Sequence, residues 1–257
     1  MDTSSFKKKN GKYFLKYLSS ESYYKNGLLL ECIQYFSYLF KGKLLDLGCG
    51  NKPYSVIYND ICSSSTSCDV PFSLHKKAEV DVLCFAEDID QHFSCGSFDT
   101  VLCTEVLEHT VNDRKAISNI YNVLKENGTL IISVPFTYVM HEAPYDYRRY
   151  TYYGIKDILE QNKFEIRSVF SMGATFSSGF FIFYYSAVKI FFYVFKKMGF
   201  SGINSSRFLN AIVSFPELCF YKISIPFFRK KLRQNKLPSI NEIFSSLGYF
   251  LIAVKIK

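Results

Sequence analysis

Apolar and polar positions fall along the chain in blocks whose period changes. In residues 27–40 (GLLLECIQYFSYLF), Leu29, Ile33, Phe36 and Phe40 recur at helical spacing, which predicts a helix lying on a sheet. The next block, 43–53 (KLLDLGCGNKP), opens with Leu44, Leu45 and Leu47, the short apolar run of a buried parallel strand. Gly48 and Gly50 then turn the chain, and Pro53 suits the first turn of a helix, where its missing N–H costs nothing. Further strands are predicted at 63–70, 80–84, 98–103, 129–134 and 164–170. Between them, Ile117, Ile120, Tyr121 and Leu124 share one helical face, with Asn112 or Asp113 as N-cap and Gly128 as the stop. Thr151 caps a further helix through Leu159. Alternating strands and helices of this length predict a doubly wound α/β fold, a parallel sheet with helices on both faces.

Two blocks lie outside this rhythm. Residues 1–26 are polar and basic, with no apolar core of a signal peptide, and read as a leader with some helix; the cytoplasm is the default compartment. Residues 174–245 do not fit the core pattern. Within them, 179–195 (GFFIFYYSAVKIFFYVF) is apolar nearly all round, yet short for a membrane span and interrupted by Lys189. A second apolar stretch, 208–228, is broken by Pro216, Glu217, Lys222 and Pro226, and the basic run Arg229, Lys230, Lys231, Arg233 and Lys236 follows. Apolar aromatic helices beside a basic cluster suit an anionic membrane surface; a cap over the active site or a dimer interface is the alternative. The predicted organisation is a leader and helix at 1–40, a core at 41–173, a helical insertion at 174–245 and a last strand at 246–257.

Composition narrows the classes. The 257 residues are 48% hydrophobic, with 26 Phe and 20 Tyr, so one large core can form and some aromatic surface remains. A net charge of +8 is compatible with nucleic acid, a membrane surface, an anionic substrate or simply a solvated basic face. Eight cysteines without C-x-x-C and four scattered His suggest neither a zinc site nor a disulfide framework. Cys84 and Cys103 stand in apolar runs and read as small core residues.

A strand, a glycine turn and a helix start together make a nucleotide-type pocket at the carboxyl edge of a sheet. The glycine pattern is not the dinucleotide G-x-G-x-x-G, because Pro53 stands at the last position. Asp69 follows Asp46 at roughly the 20-residue spacing at which an acid meets ribose hydroxyls in such folds.

The segment DLGCG resembles motif I of the class I S-adenosylmethionine (AdoMet) methyltransferases, with Lys52 at the usual third glycine. SFDTVLCTEVLEH followed by LKENGTLIISVPF is similar to the type 11 core, and 135–166 resembles a bacterial subgroup with an HE-P-DY-RYT pattern. The final GYFLIAVKIK resembles that family's last strand, antiparallel beside the sixth, which implies a seven-stranded sheet.

The resemblance implies that Asp46, Gly48, Cys49 and Gly50 hold the methionine end of AdoMet, that Asp69 holds its ribose, and that Ala86 and Glu87 lie beside adenine. Thr104 and Glu105 would close over the cofactor. Phe85 replaces the family's usual Asp; its ring either stacks on the base or turns into the core, the core being favoured. His109, His141 and Glu142 are the candidate bases, with Asp146. Asp146, Arg148, Arg149 and Tyr150 are acceptor-side candidates, the two arginines either clamping an anion or pairing with Asp146 or Glu142. The implied reaction is methyl transfer to a small molecule, such as a sugar or a lipid-linked glycan intermediate of the kind that subgroup accompanies. A non-catalytic AdoMet-binding scaffold is a rival. A nucleic-acid methyltransferase is disfavoured, since TEVLEH stands where an N-P-P-Y-type motif would follow the fourth strand.

Overall fold

The computed structural model describes residues 6–15, 23–71, 79–173, 175–198, 207–234, 238–239, 242–243 and 245–257. Seven strands form one sheet: β3 (Lys43–Leu47), β4 (Ser64–Asp69), β5 (Val82–Leu83), β6 (Phe98–Thr104), β7 (Leu124–Pro135), β8 (Phe164–Met172) and β9 (Gly248–Lys255). Their spatial order is β5-β4-β3-β6-β7-β9-β8, parallel except for β9, which inserts antiparallel between β7 and β8. Leu44, Leu45, Val101, Leu102, Ile131 and Ile132 are completely buried, as strands covered on both faces must be. The order reverses at β3, between β4 and β6, which opens the crevice where ligands bind in such sheets.

Local signals explain the helices on this sheet. Asn112 Oδ1 accepts from Lys115 N at 3.0 Å and starts α3 (Asp113–Val123). Thr151 Oγ1 accepts from Gly154 N at 3.0 Å and starts α4 (Tyr152–Gln161). Other expectations are corrected. Gly128 does not stop α3: Leu124 already pairs with Phe98 in β7, and a Cβ on Gly128 would lie 2.8 Å from Lys125 O in the bulged loop that follows. After Pro53 comes only one turn of helix, α2 (Ser55–Tyr58).

The leader holds a hairpin as well as the start of a helix. Residues Phe6–Lys9 (β1) and Lys12–Leu15 (β2) form an antiparallel hairpin. Asn10 and Gly11 both have positive φ, 50° and 75°, so the Asn-Gly pair is the sequence signal for this turn. Helix α1 (Tyr23–Tyr35) starts earlier than its periodicity implied and ends in a 3₁₀ turn at Ser37–Leu39.

Helices α5 (Thr175–Lys197) and α6 (Arg207–Gln234) separate β8 from β9. Pro216 and Pro226 lie inside α6, which continues through both. Tertiary packing outweighs the backbone bonds they remove. Ile225, Phe228 and Leu232 join the buried cluster of α1, and the Tyr221 ring packs so closely on Gly27 that any Cβ there would collide with it. Arg229 grips Glu31 with two contacts, Nε–Oε2 at 2.7 Å and Nη2–Oε1 at 2.6 Å. The Phe180 and Phe220 rings stack at 4.6 Å and tie α5 to α6. Phe181, also buried, stacks on Tyr138 at 5.6 Å and ties α5 to the loop after β7. No helix among the described residues is long and apolar enough to cross a membrane.

Candidate active site

A cavity of about 480 Å³ opens at the carboxyl ends of the central strands, within the range of small-ligand sites. One wall is the turn after β3. Gly48 and Cys49 both donate backbone N–H groups to Cys68 O, at 2.8 and 3.0 Å, so the turn is pinned to β4. Gly48 has φ 67°, and a Cβ there would collide with Val106; only glycine fits that conformation and contact together. Asp46 is buried with its Oδ2 accepting from Tyr58 Oη at 2.7 Å. Burial pushes its carboxyl up to about 7, against the opposing effect of the Tyr58 hydrogen bond. Asn51 also lines the cavity, and its Oδ1 is buried with no hydrogen-bond partner.

Asp69 at the end of β4 and the run of Cys84, Phe85, Ala86 and Glu87 continue this wall. Phe85 is 39% exposed and lines the cavity, so it does not turn into the core as favoured from sequence. Glu87 holds the loop before α3, its Oε1 accepting from Val111 N at 2.7 Å and Asn112 N at 3.1 Å. Thr104 and Glu105 line the opposite side. Glu105 is ion-paired with the buried Lys25 of α1 and accepts from Ser133 Oγ at 2.8 Å. Lys25 Nζ also sits 3.8 Å from the Tyr138 ring centroid.

Residues 45–132 match the family described as methyltransferase domain. The chain is 32% identical over 108 residues to the ubiquinone biosynthesis O-methyltransferase of Glaesserella parasuis, covering 37% of this chain and 46% of that protein. It spans about half the length of the curated relatives it matches. Among solved structures, it resembles the [4+2]-cyclase SpnF (TM-score 0.52, 16% identity, 98% of this chain and 86% of that one). It also resembles a SAM-dependent methyltransferase from Archaeoglobus fulgidus (TM-score 0.51, 15% identity, 91% and 97%).

Residues 45–132 are thus similar to a methyltransferase domain, and the chain shares the fold of the Archaeoglobus fulgidus methyltransferase. AdoMet is the cofactor of the Archaeoglobus fulgidus protein. The site suits it: a glycine cradle without room for a Cβ, a buried acceptor atom on Asn51 and two carboxylates at the strand ends meet a cofactor bearing an ammonium, a sulfonium and a ribose diol.

Across from the glycine turn stands a polar group of His109, His141 and Glu142, all lining the same cavity. His109 Nδ1 lies 2.8 Å from Tyr145 O, and His141 Nδ1 lies 3.3 Å from Asp146 Oδ2. Burial, and then the charge of Lys25, lower the affinity of His141 for a proton.

Of the acceptor-side candidates, Arg149 takes the ion pair with Asp146 that the sequence left open beside an anion clamp. Arg149 binds Asp146 through Nη1–Oδ1 at 2.6 Å and Nη2–Oδ2 at 2.7 Å, and donates to Val139 O at 2.7 Å. Burial alone would raise the Asp146 carboxyl, but Arg149 and the His141 backbone N–H hold it down to about 2. Arg148 donates to Thr110 O and, at 2.8 Å, to Val111 O. Tyr150 is buried, its Oη 3.0 Å from Leu107 O and from Asp113 Oδ2. None of these four side chains lines the cavity; they hold the 136–150 loop in place. Residues that line it without having been read as site residues include Asn26 and Leu29 of α1, Tyr54, Val111, Tyr145 and Tyr147. Nothing local in the sequence marks the α1 residues, because their position depends on α6 packing behind them.

Proposed function

We propose that the protein transfers the methyl group of AdoMet to a small-molecule acceptor. The observation that carries this reading is one cavity with two walls, the glycine turn and strand-end acids on one side and His109, His141 and Glu142 on the other. Bound AdoMet supplies a methyl group activated on a sulfonium. The chain's own task is to hold the acceptor in line and exclude water. Asp46 and the turn from Gly48 to Gly50 hold the methionine end, Asp69 the ribose, and Phe85 and Ala86 flank the base. Glu142, at the rim, takes the proton when the acceptor is a hydroxyl or an ammonium.

The proposed acceptor class is a sugar or a lipid-linked glycan intermediate. Support comes from exposed apolar residues of the two inserted helices: Phe183, Ile190 and Tyr193 of α5, with Phe215, Ile223 and Phe227 of α6, are each 59–75% exposed. Lys222, Lys230 and Arg233 are exposed on the same helix pair. Such a face suits peripheral contact with an anionic membrane. The decisive experiment incubates the protein with labelled AdoMet and water-soluble or lipid-linked sugars. Label in a sugar product supports the reading. Cofactor binding without transfer to any acceptor would favour the scaffold alternative.

A further inference from the structure

The polar wall has at its back a carboxylate whose oxygens are buried without a hydrogen bond. Glu108 is completely buried, and neither side-chain oxygen has a hydrogen-bond partner. Buried carboxylates are ordinarily hydrogen-bonded, paired or metal-bound. The nearby cations are already committed, Lys25 to Glu105 and Arg149 to Asp146. What faces Glu108 Oε1 instead is two imidazole nitrogens, His109 Nε2 at 3.8 Å and His141 Nε2 at 4.0 Å.

The other nitrogen of each ring fixes what these atoms present. His109 Nδ1 lies 2.8 Å from Tyr145 O. A carbonyl oxygen only accepts, so Nδ1 carries the proton and Nε2 offers its lone pair. His141 Nδ1 faces two acceptors, Asp146 Oδ2 and Val139 O, each at 3.3 Å; the Arg149 Nη2 donor, farther off at 3.5 Å, already donates to those same two oxygens at 2.7 Å. Two nitrogen lone pairs and a carboxylate oxygen therefore converge, too far apart to hydrogen-bond directly. The three ligand atoms lie within 4.8 Å of one another. The rings stand 4.9 Å apart at 81°. Imidazoles oriented through Nδ1 by a carbonyl or a carboxylate are the usual outer support of metal-binding His.

We propose that Glu108, His109 and His141 form a binding site for one divalent transition-metal cation. Two imidazoles and one carboxylate suit zinc, cobalt, manganese or ferrous iron rather than magnesium or calcium. Both His line the cavity, so open coordination positions face it. Glu142 Oε2, 4.0 Å from His109 Nε2, stands at the same opening. The consequence for catalysis rests on the methyl-transfer reading: the cation would take an acceptor through a hydroxyl, diol or carboxylate oxygen, and the imidazoles would serve as ligands rather than bases. The sequence spacing hides the site because His141 comes from a different loop than Glu108 and His109.

The test is titration of the chelator-treated full chain with Co²⁺, followed by visible absorption and metal analysis. One equivalent is expected to bind with the bands of a protein-ligated ion. Glu108→Gln and His141→Ala should each weaken binding at least tenfold, while His92→Ala, an exposed His elsewhere, leaves it unchanged. Thermal midpoints confirm that each variant is folded; if Glu108→Gln is not, the His109→Ala/His141→Ala pair decides. No uptake below millimolar Co²⁺, or equal affinity in Glu108→Gln or in the His pair, overturns the proposal. Calorimetry with AdoMet on the metal-free chain separates the two readings: failure there counts against methyl transfer, not against the cation site.

Discussion

Lys25, on the helix that precedes the sheet, is ion-paired with Glu105, on the loop that follows β6. Only 3% of Lys25 is exposed, and although desolvation is the largest single influence and lowers its proton affinity, Glu105, Tyr138 and Glu108 together outweigh it, so it stays charged. The N-terminal helix thereby fixes one wall of the cofactor cavity. Replacing Lys25 by Met leaves Glu105 beside Glu108 with no cation of its own. Breaking such a pair from one side costs about 3–5 kcal/mol. Denaturant unfolding is expected to show most of that loss in Lys25→Met and recovery of a large part in Lys25→Met/Glu105→Gln. Equal stability of the single variant and wild type would remove the coupling.

Asp46 gives a pH dependence with a definite sign. Its folded carboxyl titrates near 7, above the ordinary carboxylate range. Its stabilising contribution is complete below that range and is lost as pH rises through about 7. Asp46→Asn does not titrate, so its stability advantage over wild type should widen by roughly 2–3 kcal/mol between pH 5 and pH 8. AdoMet reverses the preference, because its cationic methionine end favours the ionised carboxylate. Its affinity for wild type should therefore rise across the same interval with proton release, and calorimetry in two buffers of different ionisation enthalpy measures that. A flat profile would place Asp46 outside the cofactor's reach.

The parts legible in the sequence are those whose cause is local. Asp46, Gly48 and Gly50 announce themselves because a strand, a φ near +67° and a tight turn must occur together. The caps Asn112 and Thr151 are equally short-range. The hairpin at Asn10–Gly11 was legible too, but its Lys-rich strands masked it. Arg148 and Arg149 stayed open between two readings because charge in such a loop looks the same in sequence whether it grips a ligand or the loop's own groups. Only the positions of Thr110, Val111 and Val139 distinguish the cases. Lys25 was illegible for the opposite reason: its burial depends on the loop around Tyr138, far along the chain.

Gly48 should tolerate no side chain. Its φ of 67° is strained for an L residue by about 1–2 kcal/mol, and a Cβ would run into Val106. Gly48→Val is expected to abolish AdoMet binding in calorimetry. Pairing Gly48→Ala with Val106→Ala should relieve the collision but not the backbone strain, recovering affinity only in part. Unchanged affinity in Gly48→Val would mean that the cofactor does not approach this turn.

The exposed aromatic face of α5 and α6 yields the last prediction. Phe183 is 75% exposed and Phe227 71%, although the opposite sides of the same helices pack Phe181 and Phe228 into the interior. Solvating large rings on helices otherwise so apolar is unfavourable, and burying them in a lipid headgroup region removes that cost. Exposed Lys222, Lys230 and Arg233 add attraction of about 1 kcal/mol each near an anionic surface. Flotation with anionic vesicles at low salt should therefore carry the protein upward, and high salt should release much of it, since screening shortens the reach of exposed charges. Phe183→Ser/Phe227→Ser should weaken flotation at both salt concentrations, separating apolar from electrostatic contributions. Absence of flotation at low salt would leave α5 and α6 as a cap on the fold or a contact between subunits. Flotation that resists salt and yields only to detergent would count against peripheral attachment.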